Sequence, residues 1–271
     1  MTDTTLTGAG PTARPLALVT GASSGIGLEL AKQFAEHGFD LVVTAEDPTV
    51  ALAAEGLAES GAAVQHVQAD LRTYDGVEQL WAAVRATGRP LDAAALNAGV
   101  GRGGAFLDID LDDEFEVIDL NVRSTVHLAK RVLRDMASRD AGRVLVTSSI
   151  ASTMPGSFQA VYNASKSFLQ SFTEALQNEL KDTGVTLTSL MPGPTDTEFF
   201  HRADMDDTTV GQSSKDDPAQ VAKQGFEALM DGKDKVVAGS VSTKLQGVAN
   251  AVLPDKLKAA AHRQMAEPKQ D

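Results

Sequence analysis

Cysteine is absent from the 271 residues of the chain. Disulfide bonds, a thiolate nucleophile and a cysteine-ligated metal site are therefore excluded. The five histidines are scattered and no two share a helical turn, so we expect no metal site. No apolar run approaches the ~18 residues that cross a bilayer, and residues 1–15 lack the apolar core of a secretion signal. These absences favour a cytoplasmic protein.

Positive charge is also scarce, because 24 Lys and Arg stand against 37 Asp and Glu, for a formal net charge of -13. This negative excess repels phosphate backbones and anionic lipid headgroups, so we expect no nucleic-acid partner and no main role at a membrane. Hydrophobic residues at 42% and charged residues at 23% are ordinary for a globular protein. With no internal repeat or low-complexity linker, the chain is expected to form a single domain.

Short apolar runs alternate with helical patterns from residue 16 almost to the end of the chain. This alternation predicts βαβ units, and therefore an α/β fold with a doubly wound, parallel, seven-stranded sheet of the Rossmann type. The predicted strands are 16–20, 41–44, 63–67, 91–96, 143–148, 185–191 and 235–237. The predicted helices are 28–37, 50–59, 76–86, 113–137, 162–182 and 219–230.

Three segments fall outside this alternation. We expect a flexible arm over 1–14, before a main domain over 15–240. Residues 194–218 mix proline, phenylalanine and aspartate, and long irregular insertions of this kind are often lids over a site, which predicts a substrate lid. The pattern of 241–265 predicts one amphipathic helix in a C-terminal helical extension over 241–271, packed on the domain or another subunit in preference to a membrane.

The first predicted strand runs into a loop that carries Gly21, Gly25 and Gly27 and opens the first predicted helix. Missing side chains let phosphates approach the backbone, and a helix N-terminus favours a pyrophosphate. The spacing Gly-x-x-x-Gly-x-Gly differs from the commonest dinucleotide fingerprint, and a plain tight turn is the alternative. The position directly after the first strand favours cofactor binding. The other loop residues expected to contact the cofactor are Ser23, Ser24 and Ile26.

Glu46 and Asp47 follow the second predicted strand, where dinucleotide folds bind the adenosine ribose. A carboxylate there accepts a hydrogen bond from the 2′-hydroxyl and repels the extra phosphate of NADP, and no Arg or Lys stands in the loop to bind that phosphate. Glu46 is the preferred residue for this contact, because Asp47 before a proline suits a helix N-cap. The sequence favours NAD over NADP.

Loops after the other strands carry groups suited to the rest of such a cofactor. Asp70 follows the third strand and could accept a hydrogen bond from the adenine amino group. Thr195 follows the sixth strand, where a turn exposes backbone and hydroxyl groups to a nicotinamide carboxamide. Ordinary caps and turns explain these residues equally well. The further contacts expected from these loops are Leu71, Asn97, Ala98, Gly99, Pro192 and Gly193.

The strongest chemical signal is Tyr162 four residues before Lys166, a spacing that places both on one helical face. A tyrosine titrates near ~10 and a neighbouring cation favours the phenolate, so we expect a lowered Tyr162 pKa suited to proton transfer. Lys166 could also bind the nicotinamide ribose. An exposed surface pair is the alternative, but Tyr162 opens the helix after the fifth strand, at the sheet edge where ligands bind.

Two more polar residues fit the same site. Ser149 closes the fifth strand, and a loop could fold its hydroxyl toward Tyr162 and a substrate oxygen; a strand-end serine that satisfies loop backbone is the alternative. Asn121 lies inside the predicted helix 113–137, where asparagine has poor propensity, so it is either incidental or bends the helix and holds a water beside Lys166. A fairly apolar substrate side is predicted from Val100, Ile150, Met154, Phe158, Phe199 and Phe200.

Taken together, these motifs resemble the short-chain dehydrogenase/reductase family, in its compact single-domain branch. The likeness covers about residues 15–240 and rests on the ordered set of motifs. It implies that Tyr162 is the general acid/base and that Ser149 polarises the carbonyl. It further implies that Lys166 binds ribose and tunes the tyrosine, while Asn121 belongs to a water relay. By the same resemblance we expect a homodimer or homotetramer.

The chain departs from the family pattern at two places. Leu96-Asn97 replaces the asparagine pair common before Ala-Gly, and the ribose carboxylate is displaced by one position to Glu46. The functional hypothesis is NAD(P)-dependent interconversion of an alcohol and a ketone or aldehyde, acting on a small molecule that the sequence does not identify. The alternative is a non-catalytic regulator that senses NAD(P), since Rossmann domains can bind a cofactor without using it. Loss of Tyr162 or Lys166 would favour that alternative, and both are present.

Overall fold

The computed structural model describes residues 14–268, apart from the side chains of residues 248, 249, 251 and 252. Within this range a parallel sheet has the strand order β3-β2-β1-β4-β5-β6-β7. The strands are β1 Leu16–Thr20, β2 Asp40–Ala45, β3 Val64–Gln68, β4 Ala93–Leu96, β5 Gly142–Thr147, β6 Val185–Pro192 and β7 Lys235–Ala238. The chain reverses its winding direction between β1 and β4, which confirms the predicted doubly wound Rossmann-type fold.

Two strand ends differ from the predicted ones, and at each of them a side chain forms a hydrogen bond to the backbone. Strand β4 begins two residues later than predicted, because the Asp92 carboxylate accepts the Leu16 N–H at 2.8 Å. Strand β5 ends one residue earlier, at the point where the Ser148 hydroxyl turns to donate to the Lys166 carbonyl at 3.1 Å. Both differences lie at strand termini, so the predicted sheet is unchanged.

Helices cover both faces of the sheet. The helices are α1 Gly25–Glu36, α2 Thr49–Ala58, α3 Tyr74–Ala86, α4 Leu111–Val117, α5 Thr125–Ser138, α6 Ala160–Glu179, α7 Phe199–Arg202, α8 Thr209–Gln212, α9 Pro218–Met230, α10 Val241–Val252 and α11 Asp255–Ala266. Apolar residues of α1, α2 and α9 pack on one face, and those of α3, α5 and α6 on the other. Strands buried on both faces read as continuous apolar runs, which is why the sequence located them.

Two predicted helices differ from the structure in detail. The chain is helical over the whole of the predicted stretch 113–137, but a π-helical segment, Ile118–Ser124, lies between α4 and α5. The amphipathic helix predicted over 241–265 is divided into α10 and α11, and Pro254 between them lacks the N–H needed to continue a helix. Across residues 14–268 no helix has the length and apolar character needed to cross a membrane.

The N-terminal side of the domain is described from Arg14 onward. Most of the predicted arm, residues 1–13, lies outside the described residues. The guanidinium of Arg14 donates to the carbonyls of Ala35, Gly38 and Gly61 at 2.7–3.1 Å, so the last residue of the predicted arm is fixed to the domain.

Residues 194–218 contain the short helices α7 and α8 and are closed at their base. Asp196 N–H donates to the Asp216 carbonyl, and Asp216 N–H donates to the Pro194 carbonyl, both at 2.8 Å. The segment therefore leaves the sheet and returns to it at one place, beside the carboxyl end of β6.

Candidate active site

A cavity of about 710 Å³ opens at the carboxyl ends of the strands. It brings together residues that the sequence predicts for a cofactor and for catalysis. The predicted residues in its wall are Gly21, Ser23, Ser24, Gly25, Ile26, Gly27, Glu46, Leu71, Asn97, Ala98, Gly99, Ser149, Tyr162, Lys166, Pro192, Gly193 and Thr195. Asp70 and Asn121 are not part of the wall.

The glycine loop forms a cradle that only small residues allow. Gly21 and Gly25 have φ angles of 67° and 55°, in the left-handed region. A Cβ on Gly27 would stand 2.0 Å from the Gly21 carbonyl oxygen and 2.6 Å from Asn97 Nδ2. Ser24 precedes α1 without capping it through its side chain, which leaves first-turn N–H groups for a ligand. This arrangement fits a dinucleotide pyrophosphate.

Asn97 ties this cradle to the neighbouring strands. Its Nδ2 donates to the Thr20 carbonyl at 3.2 Å, and its Oδ1 accepts the Thr147 hydroxyl at 3.0 Å. The Thr20 hydroxyl in turn accepts the N–H groups of Asn97 and Ala98 at 2.9 Å. Asn97 thus fixes the ends of β1, β4 and β5 relative to one another. The one asparagine that remains of the usual pair therefore has a structural role at the cavity.

Glu46 in the cavity wall pairs with a cation that lies outside the wall and that the sequence did not reveal. Arg72 Nη2 lies 3.0 Å from Glu46 Oε2, and its other nitrogens contact Asp70 at 2.9 Å and Glu116 at 3.0 Å. Strands β2 and β3 are neighbours, so the loop after β3 reaches the residue that follows β2. Arg72 is far from Glu46 along the chain, so the search for a nearby Arg or Lys in the sequence missed it. The pairing of β2 with β3 is the signal that could have located it.

Asp70 is turned toward Arg72 and away from the cavity. Burial acts to raise its pKa, but hydrogen bonds from the Arg72 side chain and backbone outweigh burial and hold the pKa below the ordinary value. Its predicted contact with adenine stays a prediction. Asp47 accepts the Ser23 hydroxyl at 2.8 Å and the Thr49 N–H at 3.1 Å, as expected for a residue that stabilises the start of α2.

Ser149 and Tyr162 meet at the inner end of the cavity. Ser149 precedes the 3₁₀ turn Ile150–Thr153 and its Oγ accepts the Ala151 N–H at 3.0 Å, which holds the hydroxyl in place. The same hydroxyl donates to the Pro192 carbonyl at 3.4 Å and lies close enough to the Tyr162 phenol to lower its pKa. The loop between β5 and α6 therefore folds the serine back onto the tyrosine, as the sequence predicted.

The acidity of Tyr162 differs from the expectation. Burial raises the pKa of Tyr162 to about 12, and the nearby Ser149 hydroxyl offsets this only in part. Burial also lowers the pKa of Lys166 to about 8. Lys166 Nζ is 5.8 Å from the Tyr162 ring centre and donates to the Thr147 carbonyl at 3.0 Å. The predicted lowering of the tyrosine pKa is wrong for this structure, because burial raises it and the Lys166 ammonium does not lower it.

Asn121 is fully buried in the π-helical segment and lies directly behind the cavity. Its Oδ1 accepts the Val100 N–H, and its Nδ2 donates to the Val100 carbonyl and to Ser165 Oγ, each at 2.9 Å. A Cβ on Gly99 would stand 3.0 Å from Asn121 Oδ1 and 3.3 Å from Lys166 Nζ. Asn121 and Lys166 therefore flank Gly99, and π-helical turns of this kind often occur at functional sites.

The substrate side of the cavity is covered by the segment after β6 and by α11. The Phe199 ring lies 5.2 Å from the Tyr162 ring. Of the apolar residues predicted for this side, Phe158 is outside the wall, whereas the following five belong to it: Val100, Ile150, Met154, Phe199 and Phe200. Sequence reasoning missed Gln159, His262 and Met265. Only the amphipathic pattern of the C-terminal region hinted at α11, and its position on the cavity depends on tertiary contacts.

Comparisons with known proteins place the chain among related sequences. Residues 15–208 match the family model described as short chain dehydrogenase. Oxidoreductase UcpA of Salmonella typhimurium (strain LT2) is 32% identical over 216 residues, which cover 79% of this chain and 79% of that protein. The 3-oxoacyl-(acyl-carrier-protein) reductase of Synechocystis sp. is 36% identical over 181 residues, covering 66% of this chain and 73% of that protein.

Solved structures share the whole architecture. A short-chain dehydrogenase from Sphingobium yanoikuyae in complex with NADPH has a TM-score of 0.78 at 25% identity, covering 95% of this chain and 98% of that one. A short-chain dehydrogenase/reductase from Burkholderia phymatum in complex with NAD has a TM-score of 0.80 at 24% identity, with the same coverage. Both likenesses extend to the C-terminal region beyond the residues that the family model matches.

Proposed function

The chain belongs to the short-chain dehydrogenase family and is an oxidoreductase, and from that premise we propose that it interconverts an alcohol and a ketone or aldehyde with a nicotinamide cofactor. The observation that carries the proposal is the placement of Ser149, Tyr162 and Lys166 in the wall of the cavity that also contains the glycine cradle. The cofactor, when bound, supplies or accepts the hydride. The relatives in complex with NADPH and with NAD support this cofactor class.

Tyr162 is the proposed general acid and base. With a pKa of about 12 its phenol keeps its proton at neutral pH, which suits donation to the substrate oxygen as a carbonyl is reduced. Ser149 holds the same oxygen through its hydroxyl, whose position is fixed by the Ala151 N–H. In the oxidation direction the phenol first passes its own proton toward the deprotonated form of Lys166, and the resulting phenolate then accepts the alcohol proton.

Lys166 is proposed to bind the nicotinamide ribose and to replace the tyrosine proton. Its pKa of about 8 places an exchangeable proton near neutrality, beside the phenol that needs one. Asn121 is proposed to hold a water between the interior and Lys166, since both residues flank Gly99. The bonds from Asn121 to Val100 fix the backbone at that point.

NAD is the proposed preferred cofactor. Glu46 lies in the cavity wall at the end of β2, where its carboxylate can accept the ribose 2′-hydroxyl and repels a 2′-phosphate. Arg72 is the cation nearest to it, but three carboxylates, those of Glu46, Asp70 and Glu116, already surround its guanidinium. A phosphate would therefore enter a site with excess negative charge.

The segment 194–218 is proposed to be the substrate lid of a catalytic domain over 15–240. It touches both halves of the cavity, because Phe199 lies against Tyr162 and a Cβ on Gly25 would meet Thr197 Cγ2 at 2.9 Å. The lid thus contacts the cofactor loop and the catalytic tyrosine together, so its position can respond to both ligands.

A homodimer or homotetramer is proposed from an exposed apolar face. Leu111, Phe115 and Ile118 follow one another at spacings of one helical turn, and each is at least 39% exposed. Phe168 lies on α6, the helix that α4 contacts, and is 42% exposed. An apolar stripe shared by two adjacent helices is typical of a surface that a second copy covers.

A screen of ketones, aldehydes and alcohols with NADH, NADPH, NAD and NADP tests the proposed reaction. We expect turnover, measured as a change in the absorbance of the reduced nicotinamide, with carbonyls reduced and alcohols oxidised. The non-catalytic regulator is the other candidate, and it predicts dinucleotide binding with no turnover for any compound. That outcome in a broad panel would overturn the proposed function.

A further inference from the structure

The substrate side of the cavity combines an apolar wall with two buried polar side chains, Gln159 and His262. Each of the two is only 6% exposed. Apolar residues around them in the wall are Ile150, Met154, Phe199, Phe200, Val210 and Met265. A buried polar group costs free energy unless it has a partner, so the partners of these two side chains indicate what the compartment binds.

Helix α11 places His262 against the loop between β5 and α6. Lys258 Nζ donates to the Thr153 carbonyl at 2.8 Å, and the Ser157 hydroxyl donates to the Ala259 carbonyl at 3.2 Å. Both contacts join α11 to the segment that follows Ser149. The C-terminal helix is therefore a fixed part of the substrate compartment.

The hydrogen bonds of His262 determine which ring nitrogen carries the proton. Nδ1 lies 2.9 Å from the Ser157 carbonyl oxygen, which can only accept, so Nδ1 is the protonated nitrogen. Burial lowers the pKa of His262, so the ring is neutral near neutral pH and Nε2 is an acceptor. A donor within reach of Nε2 is Asn163 Nδ2 at 3.5 Å. The two hydrogens of Asn163 Nδ2 are directed to closer acceptors, the carbonyls of Ala151 at 3.2 Å and Met154 at 3.3 Å, so Nε2 has a weak partner.

Gln159 lies three residues before Tyr162 and has a weak partner. Its Nε2 is 2.9 Å from the thioether sulfur of Met205, a poor acceptor. Met205 packs with Ala266, one helical turn beyond His262 on α11. Gln159 and His262 therefore lie toward the same end of the compartment, one offering a hydrogen-bond donor and the other an acceptor.

We propose that Gln159 and His262 form a hydroxyl-binding site, and that the substrate is an apolar carbonyl or alcohol with a second hydroxyl remote from the reacting carbon. This inference rests on the proposed function and names the substrate class for it. The remote hydroxyl donates to His262 Nε2 and accepts from Gln159 Nε2. A keto group or a carboxylate at that place has no hydrogen to give and would set its lone pairs against that of Nε2.

Matched bicyclic ketones test the site. The probes are 1-tetralone, its 5-, 6- and 7-hydroxy derivatives, and the methoxy derivative of each, which has the same ring position but no hydrogen to donate. Wild-type kcat/KM with NADH is expected to be ~5 to 50 times higher for a hydroxy compound than for its methoxy partner at the position that reaches the site. Binding of the same compounds to the enzyme with NADH, measured by calorimetry, is expected to follow the same order.

Two variants then assign the preference to the named residues. His262→Phe and Gln159→Leu are each expected to reduce the hydroxy-to-methoxy ratio to about 2 or less. His262→Gln supplies an amide oxygen as acceptor and is expected to restore part of the ratio, which a purely structural role of the ring would not do. His66→Phe, at an exposed position on β3, is the matched control and is expected to leave the ratio as in the wild type.

The outcomes separate this inference from the proposed function. A wild type that does not prefer any hydroxy compound in turnover or binding overturns the hydroxyl site, and so does a His262→Phe or Gln159→Leu protein that folds, binds NADH and keeps the full ratio. If other carbonyls are still reduced, the proposed reaction stands while the substrate class falls. If no carbonyl is reduced but binding prefers the hydroxy compound and loses that preference in His262→Phe, the site stands and the reaction falls.

Discussion

Replacing Glu46 by glutamine is the change that most directly probes the cofactor preference. Glutamine keeps the size of the side chain and removes its charge, so the repulsion of a 2′-phosphate is lost while an amide oxygen can still accept from a 2′-hydroxyl. The variant also frees Arg72 from one of its three carboxylates. Both effects act in the same direction, toward better binding of NADP.

The size of the effect follows from the charges at the ribose end. Glu46 is about half exposed, with 49% of its side chain accessible, so a high effective dielectric constant applies. A carboxylate and a phosphate ~5 Å apart repel by about 1–2 kcal/mol under such conditions, and Arg72 offsets part of this. We expect Glu46→Gln to shift the NADH to NADPH ratio of kcat/KM by ~5- to 30-fold toward NADPH.

The assay compares both reduced cofactors with one carbonyl substrate, in wild type, Glu46→Gln and Glu116→Gln. Glu116 contacts Arg72 at 3.0 Å but is not in the cavity wall, so it is the matched control for loss of a charge on the same arginine. Its ratio is expected to change by less than ~3-fold. An unchanged ratio in Glu46→Gln, or equal shifts in the two variants, would refute the assignment of the ribose contact to Glu46.

Other variants probe the cradle, the buried lysine and the subunit surface. Gly27→Ala adds a Cβ 2.0 Å from a carbonyl oxygen and is expected to abolish dinucleotide binding measured by calorimetry, whereas Gly56→Ala, at a site with open space, is expected to bind normally and gain ~0.5–1 kcal/mol in a denaturant titration. Burial lowers the pKa of Lys166 from 10.5 to about 8, so between these pH values the unfolded chain holds a proton that the native protein has lost, and the free energy of unfolding rises with pH. Lys166→Met should remove this rise. A rise of the same slope in the variant would contradict the assignment to Lys166. Phe115→Asp or Phe168→Asp is expected to dissociate the proposed dimer or tetramer, measured by light scattering, and a monomeric wild type or an unchanged mass in both variants would contradict the proposed subunit surface.

The residues that the sequence located correctly share one geometric cause. In a parallel sheet with right-handed crossovers, the loops after the strands meet at one edge. Chain order alone therefore brings Gly21, Glu46, Ser149 and Tyr162 to one cavity. The glycine spacing and the tyrosine-lysine pair could be identified because each needs only local geometry, a strand followed by a helix or two residues on one helical face.

What the sequence did not predict depends on contacts between distant segments. Arg72 reaches Glu46 across neighbouring strands, and His262 joins the cavity only because α11 is bonded to the loop after β5. The pKa of Tyr162 depends on how deeply the phenol is buried, which a four-residue spacing does not reveal. The π-helical turn at Asn121 is accompanied by hydrogen bonds between its side chain and Val100, a partner that periodicity does not identify.

The central claim is that the Tyr162 phenol transfers the proton to or from the substrate oxygen. The most direct test compares the kcat of Tyr162→Phe with that of Tyr74→Phe. Tyr74, the other tyrosine of the chain, lies 56% exposed on α3 and is not in the cavity wall. We expect Tyr162→Phe to lose ~10²- to 10⁴-fold in kcat while it still binds NADH, and Tyr74→Phe to retain wild-type turnover. A Tyr162→Phe enzyme that turns over at the wild-type rate would contradict the account.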